Sequence, residues 1–272
     1  MDWLMLFKAI VISIVEGITE FIPISSTGHM ILVEEFLNLS DNKTFTTAFE
    51  VIIQLGAIFS VVVFFWNDLW PFAGDKVKQK ATWNLWFKVL AAVLPAAVLG
   101  FLFNDLIEEK LFNSKVVAIT LIVYGIILIV LERFNAGKKE FKYNQVSSIP
   151  YSLAIVVGMF QCLAMVPGTS RSAATIIGAM LLGFSRAAAA EFSFFLAIPT
   201  MAGATLITIA KNGTSFSGVE WTTIGIGFLV AFLVAYAVIK LFMGFIRKHD
   251  FSVFGYYRIA LGVVVLLLLW NQ

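Results

Sequence analysis

Two short polar stretches in an otherwise apolar chain carry the residues able to do chemistry. The first, residues 15–29, reads VEGITEFIPISSTGH. Glu16 and Glu20 stand four apart, so on a helix their carboxylates share one face a turn apart. Two like charges there repel unless a cation lies between them. Hard oxygen donors suit Mg²⁺ or Ca²⁺, and Mg²⁺ is commonly held by one or two carboxylates plus a substrate phosphate. Carboxylates satisfied by solvent at a wet interface are the plain alternative. Ser25, Ser26 and Thr27 follow Pro23, where hydroxyls ordinarily cap a helix, and capping accounts for one of the three. His29 comes three residues after Ser26, so its imidazole could serve that hydroxyl as a base or attack phosphorus itself.

The second stretch runs Pro167-Gly-Thr-Ser-Arg-Ser. Gly168 permits close backbone approach, and Ser170, Arg171 and Ser172 gather donors at a helix start, whose free N–H groups favour an anion. Arginine suits bidentate recognition of phosphate. A structural ion pair between Arg171 and Glu20 is the competing reading. If the two stretches meet, cation ligands, nucleophile and anion clamp converge, which are the parts of a phosphoryl-transfer site. Glu50 and Gln54 form a further i, i+4 pair, with Glu191 as the counterpart of Glu50, and Gln161 precedes the second stretch. These four are expected to support the site from behind.

The elements that must position these residues follow from composition. The chain has 272 residues, 60% of them hydrophobic and 13% charged, with a mean hydropathy of +0.92, far from the soluble mix and typical of an integral membrane protein. A net charge of +2, carried in short loops, excludes a nucleic-acid partner. The single cysteine, Cys162, reads as a packing residue. The N-terminal segment lacks a small-residue cleavage site and is expected to remain in the mature protein.

Apolar runs long enough to cross a bilayer are expected at about 49–66, 85–103, 116–131, 188–209, 221–245 and 253–270, with Trp66, Trp70, Trp83 and Trp86 at interfaces. The apolar run before Glu16 is too short to span, and Pro23 breaks it, so 4–39 reads as a re-entrant hairpin. A second hairpin, 149–182, is broken at Pro167-Gly168. Pro23-Ile-Ser-Ser-Thr then matches Pro167-Gly-Thr-Ser-Arg-Ser, and the chain is two copies of one plan, 1–137 and 138–272. The fold expected is an all-α polytopic membrane protein built as an inverted repeat, each half a re-entrant helix hairpin plus three transmembrane helices, because an odd number of crossings turns the second copy over. Lys76, Lys78, Lys80, Arg133, Lys138, Lys139, Lys142, Arg186, Arg247 and Lys248 fall on one side and Lys8, Lys43, Lys110, Lys115 and Lys211 on the other. The richer side is cytoplasmic by the positive-inside rule, placing both termini and the first hairpin mouth outside.

The motifs Glu16-Gly-Ile-Thr-Glu20, His29 and Pro167-Gly-Thr-Ser-Arg-Ser-Ala-Ala-Thr175 resemble those of the bacterial undecaprenyl pyrophosphate phosphatases linked to bacitracin resistance, and the likeness in order and spacing covers essentially the whole chain. The resemblance implies hydrolysis of a C55 polyprenyl pyrophosphate at the outer side of the bacterial cytoplasmic membrane, with a divalent cation, Mg or Ca, recycling the lipid carrier for cell-wall synthesis. Glu16 and Glu20 would bind metal or activate the attacking group. Arg171 with Ser170 and Ser172 would hold phosphate, with Ser25, Thr27, Gly168 and Thr175 beside the substrate. Ser26 or His29 would be the nucleophile, and the spacing fits both. A homodimer is admitted as the assembly. The alternative is a polyprenyl phosphate flippase on the same repeat, since broken helices at the midplane also serve transport.

Overall fold

The computed structural model describes residues 3–138 and 140–269, with side chains 104, 105 and 108 set aside. Trp270, the expected end of the last span, and Lys139, counted among the loop cations, lie outside the described residues. Eleven α-helices follow in order: α1 Trp3–Thr19, α2 Ser26–Phe36, α3 Lys43–Phe64, α4 Trp66–Leu69, α5 Lys76–Leu111, α6 Ser114–Asn135, α7 Tyr151–Gln161, α8 Arg171–Leu181, α9 Arg186–Asn212, α10 Gly218–Ile246 and α11 Ser252–Leu269. Six of them, α3, α5, α6, α9, α10 and α11, are long and apolar enough to cross a membrane. The chain is an all-α, polytopic membrane protein.

The helices outrun the apolar runs that predicted them. α3 starts at Lys43 because Asn42 accepts a hydrogen bond from Phe45 N through its side chain, and α6 starts at Ser114 on an equivalent bond from Val116 N to Asn113. α1 carries Glu16 on the helix, as its spacing to Glu20 supposed; the helix continues to Thr19, about 25 Å at the usual rise, and Glu20 falls in the turn that follows, with Pro23. Glu16 is compatible with the helix because it faces inward, 1% exposed, and costs the lipid-facing surface nothing.

Each break contains its proline and closes on a serine. Ser25 and Ser170 are the two non-glycine residues with left-handed backbone among those described, φ 74° and 71°, and each caps the following helix, Ser25 Oγ accepting from Gly28 N at 3.2 Å and Ser170 Oγ from Ala173 N at 3.3 Å. A serine at positive φ is uncommon and carries strain. The two caps set the register of the halves better than Pro23 and Pro167 do, since the prolines stand at unequal distances from them. In this register Glu16 corresponds to Gln161, and Ser26 to Arg171. Counting from Asn42 and Ser185, the caps of α3 and α9, the counterpart of Glu50 is Ser193 and not Glu191, which corrects the pairing read from sequence.

Packing follows an exchange of partners: α1 lies on α10 as α7 lies on α5, while α3 meets α9 and α6 meets α11. Small residues make these crossings close. A Cβ on Gly158 would collide with the backbone of Ala92, one on Gly56 would lie 2.5 Å from Phe228 O, and one on either Gly125 or Gly255 would lie 2.7 Å from the other's carbonyl oxygen. Close approach through small residues is the usual means of association where lipid supplies no hydrophobic drive. Replacing Gly125 by Leu is therefore expected to destabilise the fold by ~1–3 kcal/mol through overpacking, while Val263→Leu on the lipid-facing side of α11 is neutral; thermal unfolding in detergent checks both.

Candidate functional site

The two breaks meet. Glu20, in the turn after α1, is 6% exposed, and Arg171, the first residue of α8, is 9% exposed. Arg171 Nη2 donates to Glu20 Oε1 at 3.1 Å and Nη1 to the Ser193 carbonyl of α9 at 2.9 Å. Glu20 Oε2 accepts the Ser26 hydroxyl at 2.9 Å. Glu20 thus holds a hydroxyl with one oxygen and a guanidinium with the other. Ser172 Oγ adds a link from the second break to the Ile22 carbonyl of the first, at 3.3 Å, and lies 3.0 Å from Ser170 Oγ.

Two buried groups around Glu20 lack hydrogen-bond partners: Glu16 Oε1 and Arg171 Nε. An acceptor and a donor left unpaired at depth are costly, and such groups ordinarily wait for a ligand. Glu16 lies near Glu20, and Glu50 near Glu34. Helix geometry also leaves the first-turn amides of Ser26 and Thr27, and of Arg171 and Ser172, without intrahelical partners. The arrangement offers an anion a guanidinium and two helix N-termini, and offers a cation two carboxylates.

Several expected roles look different in place. His29 does not face Ser26: its Nδ1 lies 2.7 Å from the Ser25 carbonyl and its Nε2 2.8 Å from the Tyr257 hydroxyl of α11. Left-handed Ser25 starts α2 one residue before Ser26, so Ser26 turns back to Glu20 while His29 lies out toward α11. Ser25 itself is fully buried and spends its hydroxyl on the cap. Thr175, expected beside a substrate, is also fully buried, its Oγ1 2.8 Å from the Arg171 carbonyl and 2.6 Å from Ser193 Oγ; it fixes α8 to α9. Gly168, at φ 83°, packs on Val117 of α6, where a Cβ would not fit. Thr27 is half-buried at the start of α2. Gln161 is buried and donates to Thr200 Oγ1 at 3.4 Å. Gln54 lies half-buried a turn after Glu50. The charged neighbours of Glu191 are Asp68 and Arg247, so it is not part of this cluster.

Sequence reasoning missed Arg258. It is the largest fully buried side chain among the described residues. From α11 its guanidinium reaches both breaks, donating to Pro23 O at 3.2 Å, Gly168 O at 2.8 Å and Thr169 O at 3.0 Å, with Nε 3.4 Å from Leu121 O of α6. These partners are carbonyls, so a positive charge remains behind the site. The signal was present, an arginine inside an apolar run that should cross a membrane. Ser193, which holds Arg171 through a backbone carbonyl, gave no such signal.

Fold and site together define a polytopic membrane protein with a hydroxyl, carboxylate and guanidinium centre assembled from two broken hairpins. The chain belongs to the family described as bacitracin resistance protein BacA, whose model matches residues 9–264. It is similar to undecaprenyl-diphosphatase 1 of Clostridioides difficile, 57% identical over 96% of this chain and 95% of that one. It also resembles the undecaprenyl-diphosphatases of Lachnoclostridium phytofermentans, 52% identical over 97% of each chain, and of Enterococcus faecalis, 50% identical over 98% of each.

Arg258→Met should leave three buried carbonyls unpaired and cost on the order of 3 kcal/mol or more. Arg258→Lys should recover only part of that, because an ammonium cannot reproduce the fork. Amide hydrogen exchange at residues 24–26 and 169–172, faster in the Met variant, is the measurement that checks it.

Proposed function

We infer that this chain hydrolyses undecaprenyl pyrophosphate to undecaprenyl phosphate and inorganic phosphate. The observation that carries the reading is Glu20, bonded at once to the Ser26 hydroxyl and to Arg171. A hydroxyl on a carboxylate is poised to lose its proton, and a guanidinium beside it is placed to hold the group under attack. The relatives named as undecaprenyl-diphosphatases cover nearly the whole chain, which supports the same substrate here.

In this reading the terminal phosphate sits between Arg171 and the amides that open α2 and α8. Ser26 Oγ attacks its phosphorus as Glu20 takes the hydroxyl proton. The bond to the bridging oxygen breaks, and its electrons leave on the prenyl monophosphate, whose charge Arg171 and the N-termini offset. Water then cleaves the phosphoserine, with Glu20 again handling the proton. Ser26 is favoured over His29 as nucleophile, because both ring nitrogens of His29 are engaged, one by the Ser25 carbonyl and one by Tyr257. Arg258 stands behind both loops and adds positive potential without touching phosphate.

The donor set fits a divalent cation through Glu16 and Glu20, since an unpaired buried carboxylate oxygen lies beside a second carboxylate. Among the described residues no third His, Cys, Asp or Glu converges with them as a metal site, so the remaining positions would fall to water and pyrophosphate oxygens, as is usual for Mg²⁺. When bound, the cation would neutralise charge developing on the phosphates. Inversion of the two halves, and an outward-facing site in the bacterial cytoplasmic membrane, complete the reading; the loop cations and the exchanged helix pairings support them.

Purified protein in detergent should release phosphate from C55 pyrophosphate. Ser26→Ala and Arg171→Ala are each expected to lower kcat/KM by about 10²–10⁴-fold, and absence of release by the unaltered protein would sink the reading. Quenching during turnover should leave an acid-stable, base-labile phosphate label that vanishes in Ser26→Ala; an acid-labile label that vanishes in His29→Ala would instead name the histidine. Chelation by EDTA should abolish turnover and restored Mg²⁺ or Ca²⁺ return it, while Glu16→Gln should raise the cation concentration needed for half-maximal rate.

A further inference from the structure

A lipid pyrophosphate needs a place for its chain as well as for its phosphates, a requirement that rests on the hydrolase function proposed for this site. Between α5 and α7 runs a groove of about 450 Å³, within the range of small-molecule sites. Leu94 and Val98 of α5 and Ile155 and Met159 of α7 line it, Pro95 lies along α5 between them, and Cys162 stands at the end of α7. Its lining is almost wholly apolar, and those four side chains are exposed rather than packed into the protein.

The groove is not an inevitable result of two helices crossing: α1 and α10, the matching pair in the other half, leave a hollow at their far end, by Leu6 and Thr222, but are closed at the level that corresponds to the groove. Gly17 and Cys162 stand equally far before Ser25 and Ser170. At Gly17, α10 comes so near that a Cβ would lie 2.9 Å from both Ala231 O and Val234 Cβ. At Cys162 the helices part, although one turn earlier Gly158 is pressed onto Ala92. Pro95 supplies a reason: a proline within a helix withholds one N–H, and its ring pushes on the carbonyl a turn before, which bends the helix.

The groove also ends where the chain enters the second break. Cys162 opens a single 3₁₀ turn, Cys162–Met165, which leads directly into Pro167 and Gly168. Met165 Sδ lies against Gly100 of α5, 4.0 Å from where a Cβ would stand. On the protein side of the same α7 turn, Gln161 is buried at 3% exposure, at the position that Glu16 holds in the first hairpin. One helix end therefore turns a buried amide inward, to Thr200, and an apolar face to the groove.

We propose that this groove binds the prenyl chain of the substrate, and that it is the subsite by which the enzyme prefers long polyprenyl pyrophosphates to short ones. Any acyl chain can lie in an apolar hollow, but only a chain tethered to a phosphate at Arg171 gains affinity from doing so at this distance.

Leu94→Trp and Met159→Trp fill the groove from its two walls. Full-length protein carrying either should show KM for C55 pyrophosphate raised roughly tenfold or more, the loss expected when a buried apolar contact is removed, with kcat nearly retained. A C5 pyrophosphate, too short to pass round a helix about 10 Å across, should be hydrolysed with unchanged kcat/KM, which also reports that each variant is folded. Val263→Trp, on lipid-facing α11, should alter neither substrate. Unchanged KM for C55 pyrophosphate in both filled variants would overturn the proposal, as would equal slowing of both substrates, whether from misfolding or from loss of a contact between two copies seen as a change in particle mass. Failure of the unaltered protein on C55 pyrophosphate would overturn the hydrolase reading instead.

Discussion

One buried guanidinium holds the two halves of the site in register. Arg258 takes up carbonyls that the breaks in both hairpins leave without helical partners, from Pro23 on one side and from Gly168 and Thr169 on the other. A break in a helix at membrane depth strands backbone acceptors, and each stranded group costs free energy unless something donates to it. Water would serve but would let the loops wander. A planar fork on a rigid helix satisfies the same groups with a fixed geometry, and it does so from α11, which is itself locked to α6 by the mutual contact of Gly125 and Gly255. The site is thus referred to a closely packed pair of helices.

From that anchor the remaining contacts follow. With both breaks tied to Arg258, the serines at left-handed φ are held in a conformation that neither would adopt freely, and each directs its helix start toward the other break. Ser26 and Arg171 occupy the same position in their two hairpins, the first residue after the capping serine. One is a hydroxyl and the other a guanidinium, and Glu20 joins the two. Equally far before them stand two residues of unlike charge, Glu16 near the end of α1 and the amide Gln161 at the end of α7. The first hairpin thus carries the carboxylates and the second the guanidinium.

Much of this was legible in the sequence, and the reasons differ by element. The six long helices were readable because hydropathy over twenty residues is a sum, insensitive to single positions. α1 was readable as a segment too short to span, because its apolar run stops at Glu16, although the helix itself continues to Thr19 with Glu16 turned inward. The meeting of Glu20 and Arg171 was readable from the oddity of charge at depth. The partner of Ser26 was not, since helical spacing assigned it to His29 and only the left-handed turn at Ser25, invisible in residue types, sends it to Glu20 instead. Ser193 contributes a backbone carbonyl, which any residue would carry, so no side-chain pattern could have marked it.

The bond between Glu20 and Arg171 has a consequence for turnover. The arginine already holds an anion of its own, so in the proposed reaction an incoming phosphate would have to win the guanidinium from a carboxylate beside it. The carboxylate would then be a tethered competitor whose local concentration never falls. A pyrophosphate, with more charge and more oxygens to offer, would be better equipped to displace it than the orthophosphate left after reaction. The same contact would therefore help to expel the product.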